Sequence, residues 1–460
     1  MSDTIMDQFP QTSVSVPPLG YNPEEFPREL VRHYAPASDT DIRDMLEVIG
    51  EEKLEDLFSH IPQEVRFADP PDLPEELAYD ELQKKLFQIS EKTNLRTSFL
   101  GDSLPCWKTH PIVNYVSNLR PLTTSYTPYQ PERSQGTLMT HWIYQCMMTS
   151  LTGFEAINSS LYDRSMAIFE AICCTIRMRR GSTTALVAES LFPNDLEVIR
   201  TLAADTKIKL KFFGIEPKTG RLDLDQLREK AGSIGSDLAC IVFPQVNSLG
   251  LLEEVDALTQ LAKETGVKSV ACIDPLLLAS GGLKPPSQFG EEGADVIAGE
   301  AQHLAIRPNF GGPGLGLFGV RYNENNQRDV RSTPGRFVGK AMDVNGRECL
   351  VMVLSTREQH IRKERATSNV CSNQAFLATL AGVATLAKGN KGMATALATA
   401  REACKEVLPK LLARKGVSLT FPETPFFNEI VLKLSKPIEE VLEQAVCDDL
   451  HPGINVSERF

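Results

Sequence analysis

Between Gly181 and Gly299, short apolar runs alternate with amphipathic ones. TTALVA, KLKFFGI, LACIVFP, VKSVACID and GADVIAG are largely apolar stretches of strand length. Between them, LEVIRTLAADT, DLDQLREKAG and LTQLAKETG space their apolar residues three or four apart. Strands alternating with helices predict a mostly parallel sheet covered on both faces. Ligands of such sheets bind beyond the carboxyl ends of the strands. That rim would carry Pro244-Gln245-Val246-Asn247, Asp274-Pro275 and the loop from Gln302 to Gly314.

The flanks read differently. Residues 1–26 are rich in Pro, Ser and Gln and read as a loose leader. Ser38 or Asp39 can cap a helix with Ile42, Met45, Leu46 and Ile49 on one face. Further helices are predicted over Glu51–Ser59, Tyr79–Lys92 and Leu138–Leu151. Another starts at Ser160 or Asp163, with Ile168, Ile172 and Ile176 along one side. Past Arg321 the stretch NENNQRDVRSTPGRFVG is polar and loop-like. A helix from Gln374 to Ala387 follows, capped by Ser372 or Asn373 and stopped by Gly389. A second, Ala-rich helix runs from about Met393 to Arg414, then strands in VSLTF and FNEIVLKL and a helix in IEEVLEQAV. The expected organisation is a leader and helical arm over 1–92, a large α/β domain over 93–325 and a small α+β domain over 326–460.

Net charge is −12 and no dense basic run occurs, which argues against nucleic acid and anionic membranes as partners. No apolar segment approaches the roughly 20 residues of a membrane helix, and MSDTIMDQFPQ lacks the pattern of a secretory signal. The ten cysteines form no Cys-x-x-Cys pair, as expected of free thiols in a reducing cytoplasm. The seven histidines form no His-x-x-x-His pair, so no metal is expected.

Two stretches carry candidate chemistry. In GADVIAGEAQHLAIRPNFGGPGLG an apolar run delivers the chain to a polar turn containing Gln302 and His303, then to glycines that let backbone pass close to a ligand or another segment. In TSYTPYQPERSQGT two tyrosines and two prolines suggest a rigid loop presenting Tyr126, Tyr129 and Gln130. An ordinary buried loop is the competing reading.

These blocks occur in order with RHYAPASDTDIRDMLEVIG, IPQEVRF, NSSLYD and STREQHIRKERATSNVCSNQAFLA. Together they resemble the glycine decarboxylase family, the P-protein of the glycine cleavage system, and more narrowly subunit 1 of its split two-chain form. The resemblance runs from about residue 28 to the end. It implies the α/β fold of type I pyridoxal phosphate (PLP) enzymes, with a mostly parallel large domain, a smaller C-terminal domain and an N-terminal helical arm. It implies an α2β2 assembly with subunit 2, whose lysine holds PLP. That assembly decarboxylates glycine and passes the aminomethyl group to lipoamide on the H-protein.

In this chain no lysine lies between Lys284 and Lys340, so the resemblance implies no catalytic residue and no covalently held cofactor here. His303 falls at or beside the lysine's place. Asp274 falls where these enzymes keep a carboxylate for the pyridinium nitrogen; a turn aspartate would look the same. With Tyr126, Tyr129, Gln130 and Gln302 these are the pocket candidates. The family usually has Asp-Gly where this chain has Asp163-Arg164. The arginine is bulky for a phosphate-binding turn, although it could itself pair with a phosphate. The family also usually continues past GINVSERF. Arg362, Lys363 and Arg365 would face a partner or solvent. Two other readings stay open: an independent PLP enzyme, and a catalytically silent interaction or regulatory protein on the same fold.

Overall fold

The computed structural model describes residues 20–22, 38–67, 69, 71–93, 96–102, 107–309, 311–354, 358–367 and 371–459. Most of the leader, the segment RHYAPA and residues 368–370 of the SNVCSNQ turn lie outside the described residues. The chain divides into two compact units, 1–94 and 95–460.

In the first unit, α1 (Asp39–Ile49) starts at Ser38, whose hydroxyl oxygen accepts the Asp41 amide, and ends at Gly50, with φ 81°. Where a helix over 51–59 is expected, the chain makes only a short 3-10 turn, Leu54–Phe58. Pro62 follows too soon for an α-helix to lengthen. The helix α2 spans Tyr79–Glu91.

The second unit is built on a seven-stranded sheet. Its strands are β1 (Ala156–Ile157), β2 (Thr184–Ala188), β3 (Lys209–Phe213), β4 (Leu238–Pro244), β5 (Lys268–Ile273), β6 (Val296–Glu300) and β7 (Gly316–Val320). They lie in the order β1-β7-β6-β5-β4-β2-β3. The run from β6 to β3 is parallel, while β7 and β1 pair antiparallel at one side. β2, β4, β5 after Lys268 and β6 before Glu300 are buried throughout, as apolar runs covered on both faces must be. The connecting helices include α4 (Arg164–Met178), α5 (Pro193–Ala204), α6 (Leu224–Ile234) and α7 (Val255–Glu264). Preceding them is α3 (Gln135–Thr152).

The segment read as a polar loop turns into a strand at its end. β8 (Phe337–Met342) pairs antiparallel with β9 (Glu348–Val353). Two glutamines of α3 hold this ribbon by mimicking a neighbouring strand. Gln145 accepts from Val338 N (2.8 Å) and donates to its carbonyl (3.1 Å). Gln135 does the same to Leu350 (3.0 and 2.8 Å). Side-chain amides on another element leave no period in the strand's own sequence, so the ribbon escaped notice.

The next helix, α8, runs Ser372–Leu412 with a break at Gly389 (φ 61°, ψ −179°), so the glycine does separate two helical segments. A short ribbon of β10 (Val417–Leu419) with β11 (Leu432–Leu434) and the helix α9 (Ile438–Cys447) follow. Among the described residues, no helix is long and apolar enough to cross a membrane.

Candidate functional site

Parallel pairing of β5 with β6 brings the ends of both strands to one rim. Asp274 follows β5 and caps the turn Pro275–Leu278, its Oδ1 accepting from Leu276 N at 2.9 Å. The same oxygen lies 2.9 Å from Nε2 of His303, which sits in the short helix Gln302–Ala305 after β6. His303 is buried, and its Nδ1 has no hydrogen-bond partner among the described residues. Gln302 faces its own loop: Nε2 donates to the Arg307 carbonyl at 3.1 Å.

The N-terminus of α4 lies close by. Asp163 caps it, accepting from Met166 N at 2.8 Å. The Gly-rich run passes directly against this turn. A Cβ on Gly316 would come within 2.5 Å of the Asp163 carbonyl oxygen, so what the glycine admits is the chain's own backbone. Glu300, the last residue of β6, reaches the same corner. Its carboxylate accepts from the amides of Arg164 (3.1 Å), Gln302 (2.9 Å) and Leu315 (2.9 Å). Burial raises its pKa, against the lowering effect of these amides and of Arg164.

The Arg164 side chain does not wait for a ligand. Nε donates to Asp195 Oδ2 at 2.6 Å, Ser165 Oγ donates to Oδ1 at 2.6 Å, and the guanidinium lies 4.4 Å from the centre of the Phe192 ring. Desolvation is the largest single influence and lowers the arginine's pKa, but attraction to Asp195, the hydrogen bond to it and the nearby Glu300 together outweigh that, so the pKa is raised and the arginine stays charged.

A second group surrounds a cleft of ≈ 560 Å³, part of it open solvent. The loop residues Tyr126, Thr127 and Pro128 line one side, and His141, Arg336 and Ser372 lie on others. Tyr126 is exposed. Tyr129 does not line the cleft but donates its hydroxyl proton to Glu358, and its ring meets His360 edge-on at 5.0 Å. Glu358 also receives a two-pronged pair from Arg336, Nε to Oε1 at 2.9 Å and Nη2 to Oε2 at 3.1 Å. Burial and this carboxylate raise the Tyr129 pKa. His141 is driven to about 4 by burial, helped by the Arg336 charge, and is therefore neutral at pH 7.

The predicted residues thus divide. Asp274 and His303 touch, with Gln302 beside them; Tyr126 lines the cleft and Tyr129 braces its arginine; Gln130 is exposed and belongs to neither group. Sequence reasoning missed Glu300, Asp195, His141 and Arg336. Glu300 and Arg336 stand in stretches already singled out, but nothing in their spacing marked them. Asp195 lies just before the predicted helix LEVIRTLAADT, and nothing in the sequence distinguishes it. Among the described residues, no cluster of His, Cys, Asp and Glu is arranged to hold a metal ion.

The family profile described as glycine cleavage system P-protein matches residues 32–457. The probable glycine dehydrogenase (decarboxylating) subunit 1 of Legionella pneumophila (strain Corby) is 34% identical over 415 residues, covering 89% of this chain and 88% of the relative. A crystal structure of glycine decarboxylase (P-protein) of the glycine cleavage system, in inhibitor-bound form, superposes with TM-score 0.77 at 32% identity, covering 91% of each chain. The sphingosine-1-phosphate lyase of Burkholderia pseudomallei shares the fold at TM-score 0.59 and 14% identity, over 86% of this chain and 88% of that one.

Proposed function

The chain belongs to the glycine cleavage system P-protein family, and from that premise we propose that it is the subunit without a cofactor lysine in a two-chain glycine dehydrogenase (decarboxylating). The enzyme removes the carboxyl group of glycine and hands the aminomethyl group to lipoamide on the H-protein. PLP sits on the partner, subunit 2, in an α2β2 assembly in the cytoplasm. This chain supports that enzyme without carrying the reacting bonds.

The observation that carries the division of labour is the state of the corner where a fold-type-I enzyme would keep PLP. The residues present do not fit it. No amine stands between Lys284 and Lys340 to form the imine. Asp274, the carboxylate such an enzyme turns to the pyridinium nitrogen, already has its Oδ1 engaged by the Leu276 amide and by His303. At the head of α4, a phosphate would meet the Glu300 carboxylate, which already holds the Arg164 amide. Arg164, which a phosphate could have recruited, is paired with Asp195. A lipoyl arm or substrate of the assembled enzyme would instead meet the loop that presents Tyr126, Tyr129 and Gln130.

A catalytically silent role on the same fold is the second reading; Arg164 where subunit 1 sequences usually have glycine and His303 at or beside the lysine's place speak for it. One experiment separates the two. The chain is co-expressed with its lysine-bearing partner, and exchange of labelled CO2 into glycine is assayed with H-protein. Exchange that depends on both chains is expected. Equal exchange with the partner alone would sink the subunit reading and leave the silent one.

A further inference from the structure

The cleft beside the Tyr126 loop has a property its residue names alone do not suggest. Among the described residues no carboxylate lines it, and Arg336 is the one charged lining residue, in a chain of net charge −12. Arg336 is held by Glu358 through Nε and Nη2, which leaves Nη1 without a hydrogen-bond partner among the described residues. Ser372, also on the lining, is the first residue of α8, and among the described residues no side chain caps that helix. The free amides of its first turn carry the positive end of the helix dipole. His141 lines the same space. It is buried, and its Nδ1 has no partner among the described residues, a polar atom of the kind that is ordinarily satisfied. Of the lining hydroxyls, those of Ser125, Thr137, Ser159 and Thr379 already donate within the chain, whereas those of Thr127, Ser160 and Ser372 have no partner among the described residues and supply further donors.

We propose that this cleft binds a small oxyanion, a carboxylate or a phosphate, between Arg336 and the N-terminus of α8. Unpartnered donors, a cation and a helix N-terminus converge there; Glu358, the carboxylate that pairs with Arg336 through Nε and Nη2, is not itself on the lining. That is the composition of an anion site rather than of a hydrophobic pocket. The cleft is distinct from the corner closed by Glu300 and Arg164, and the proposal does not depend on the assembly or on glycine chemistry. The Arg336–Glu358 pair makes it a prepared site: the arginine is already oriented, so binding one more acceptor orders nothing new.

The test is calorimetric titration of the full purified chain with inorganic phosphate and, separately, with acetate, against a chloride control of matched ionic strength. Saturable binding of either probe at one site per chain is expected. Phosphate alone, acetate alone or both identify the source of the oxyanion. Ser372→Asp places a carboxylate in the cleft at a helix position that favours acidic residues, so folding is preserved while binding weakens about tenfold or more. Arg336→Gln weakens binding by a similar factor, and thermal unfolding of each variant shows whether it is folded. No saturable binding above the chloride control by the unsubstituted chain, or binding unchanged in a folded Ser372→Asp variant, overturns the proposal.

Discussion

Two buried ionisable residues of α4 illustrate how position alone changes an ordinary side chain. Glu170 faces the interior with Arg177 Nη2 no closer than 3.9 Å, and burial pushes its pKa up to about 7. The folded state therefore holds a proton that the unfolded chain, with an ordinary carboxyl, has lost. Stability from this group is complete below about pH 4.5 and is lost as pH rises through about 7. The difference is on the order of 2–3 kcal/mol. Glu170→Gln, neutral at every pH, should remove that part of the slope. Denaturant unfolding at pH 4.5 and pH 8 checks it, and an unchanged slope would exclude Glu170 as its source. Arg164 presents the opposite case, a buried charge with a good partner. Arg164→Ala leaves Asp195 buried and uncompensated, so a loss of about 3 kcal/mol or more is expected. Replacing both residues by apolar ones should recover most of it, since it is the lone charge that costs. Urea unfolding of the single and double variants measures this; equal losses in both would refute it.

Among the elements, the corner between β6, α4 and β7 is where backbone geometry is least forgiving. Asp163 caps α4, and Asp163→Ala should cost about 1 kcal/mol, the usual value of such a cap. Gly316→Ala should cost several times more. Its Cβ would meet backbone, the Asp163 carbonyl oxygen at 2.5 Å, and a strand in the sheet cannot step aside cheaply. Thermal unfolding ranks the two variants, and a milder effect for the glycine would mean that the corner can open. The same corner explains the Gly-rich run. Its glycines look like those of a ligand-binding loop, and they are used to seat one segment of the chain against another.

Across the second unit, the mostly parallel sheet brings distant residues to one rim: Asp274, Glu300 and, through α5, Asp195. The fold is that of type I PLP enzymes, and the corner at the head of α4 is filled by internal ion pairs and hydrogen bonds. At that corner both Asp195 oxygens are taken, by Arg164 Nε and Ser165 Oγ, and Glu300 holds the Arg164 amide. The second group of residues is organised otherwise. Tyr129, Arg336 and Glu358 are far apart in sequence and join in one network. The cleft they border keeps donors without partners, which is why it, and not the closed corner, carries an expectation of binding.

The amino-acid sequence by itself determined the alternation of strands and helices, the parallel character of the sheet and the family. Buried parallel strands must be apolar along their whole length and their helices amphipathic, so both leave a periodic trace in one dimension. It also determined the absence of an amine between Lys284 and Lys340, which needs no folding to be read. Tertiary structure alone decided that His303 meets Asp274, that Arg164 turns to Asp195 and that Glu300 takes the amide at the head of α4. It also decided that the 337–353 ribbon is held by glutamines of another helix. Hydrogen bonds and ion pairs between remote residues depend on distances that no local pattern encodes, so residues that looked equally polar along the chain became, in space, a sealed corner and an open cleft.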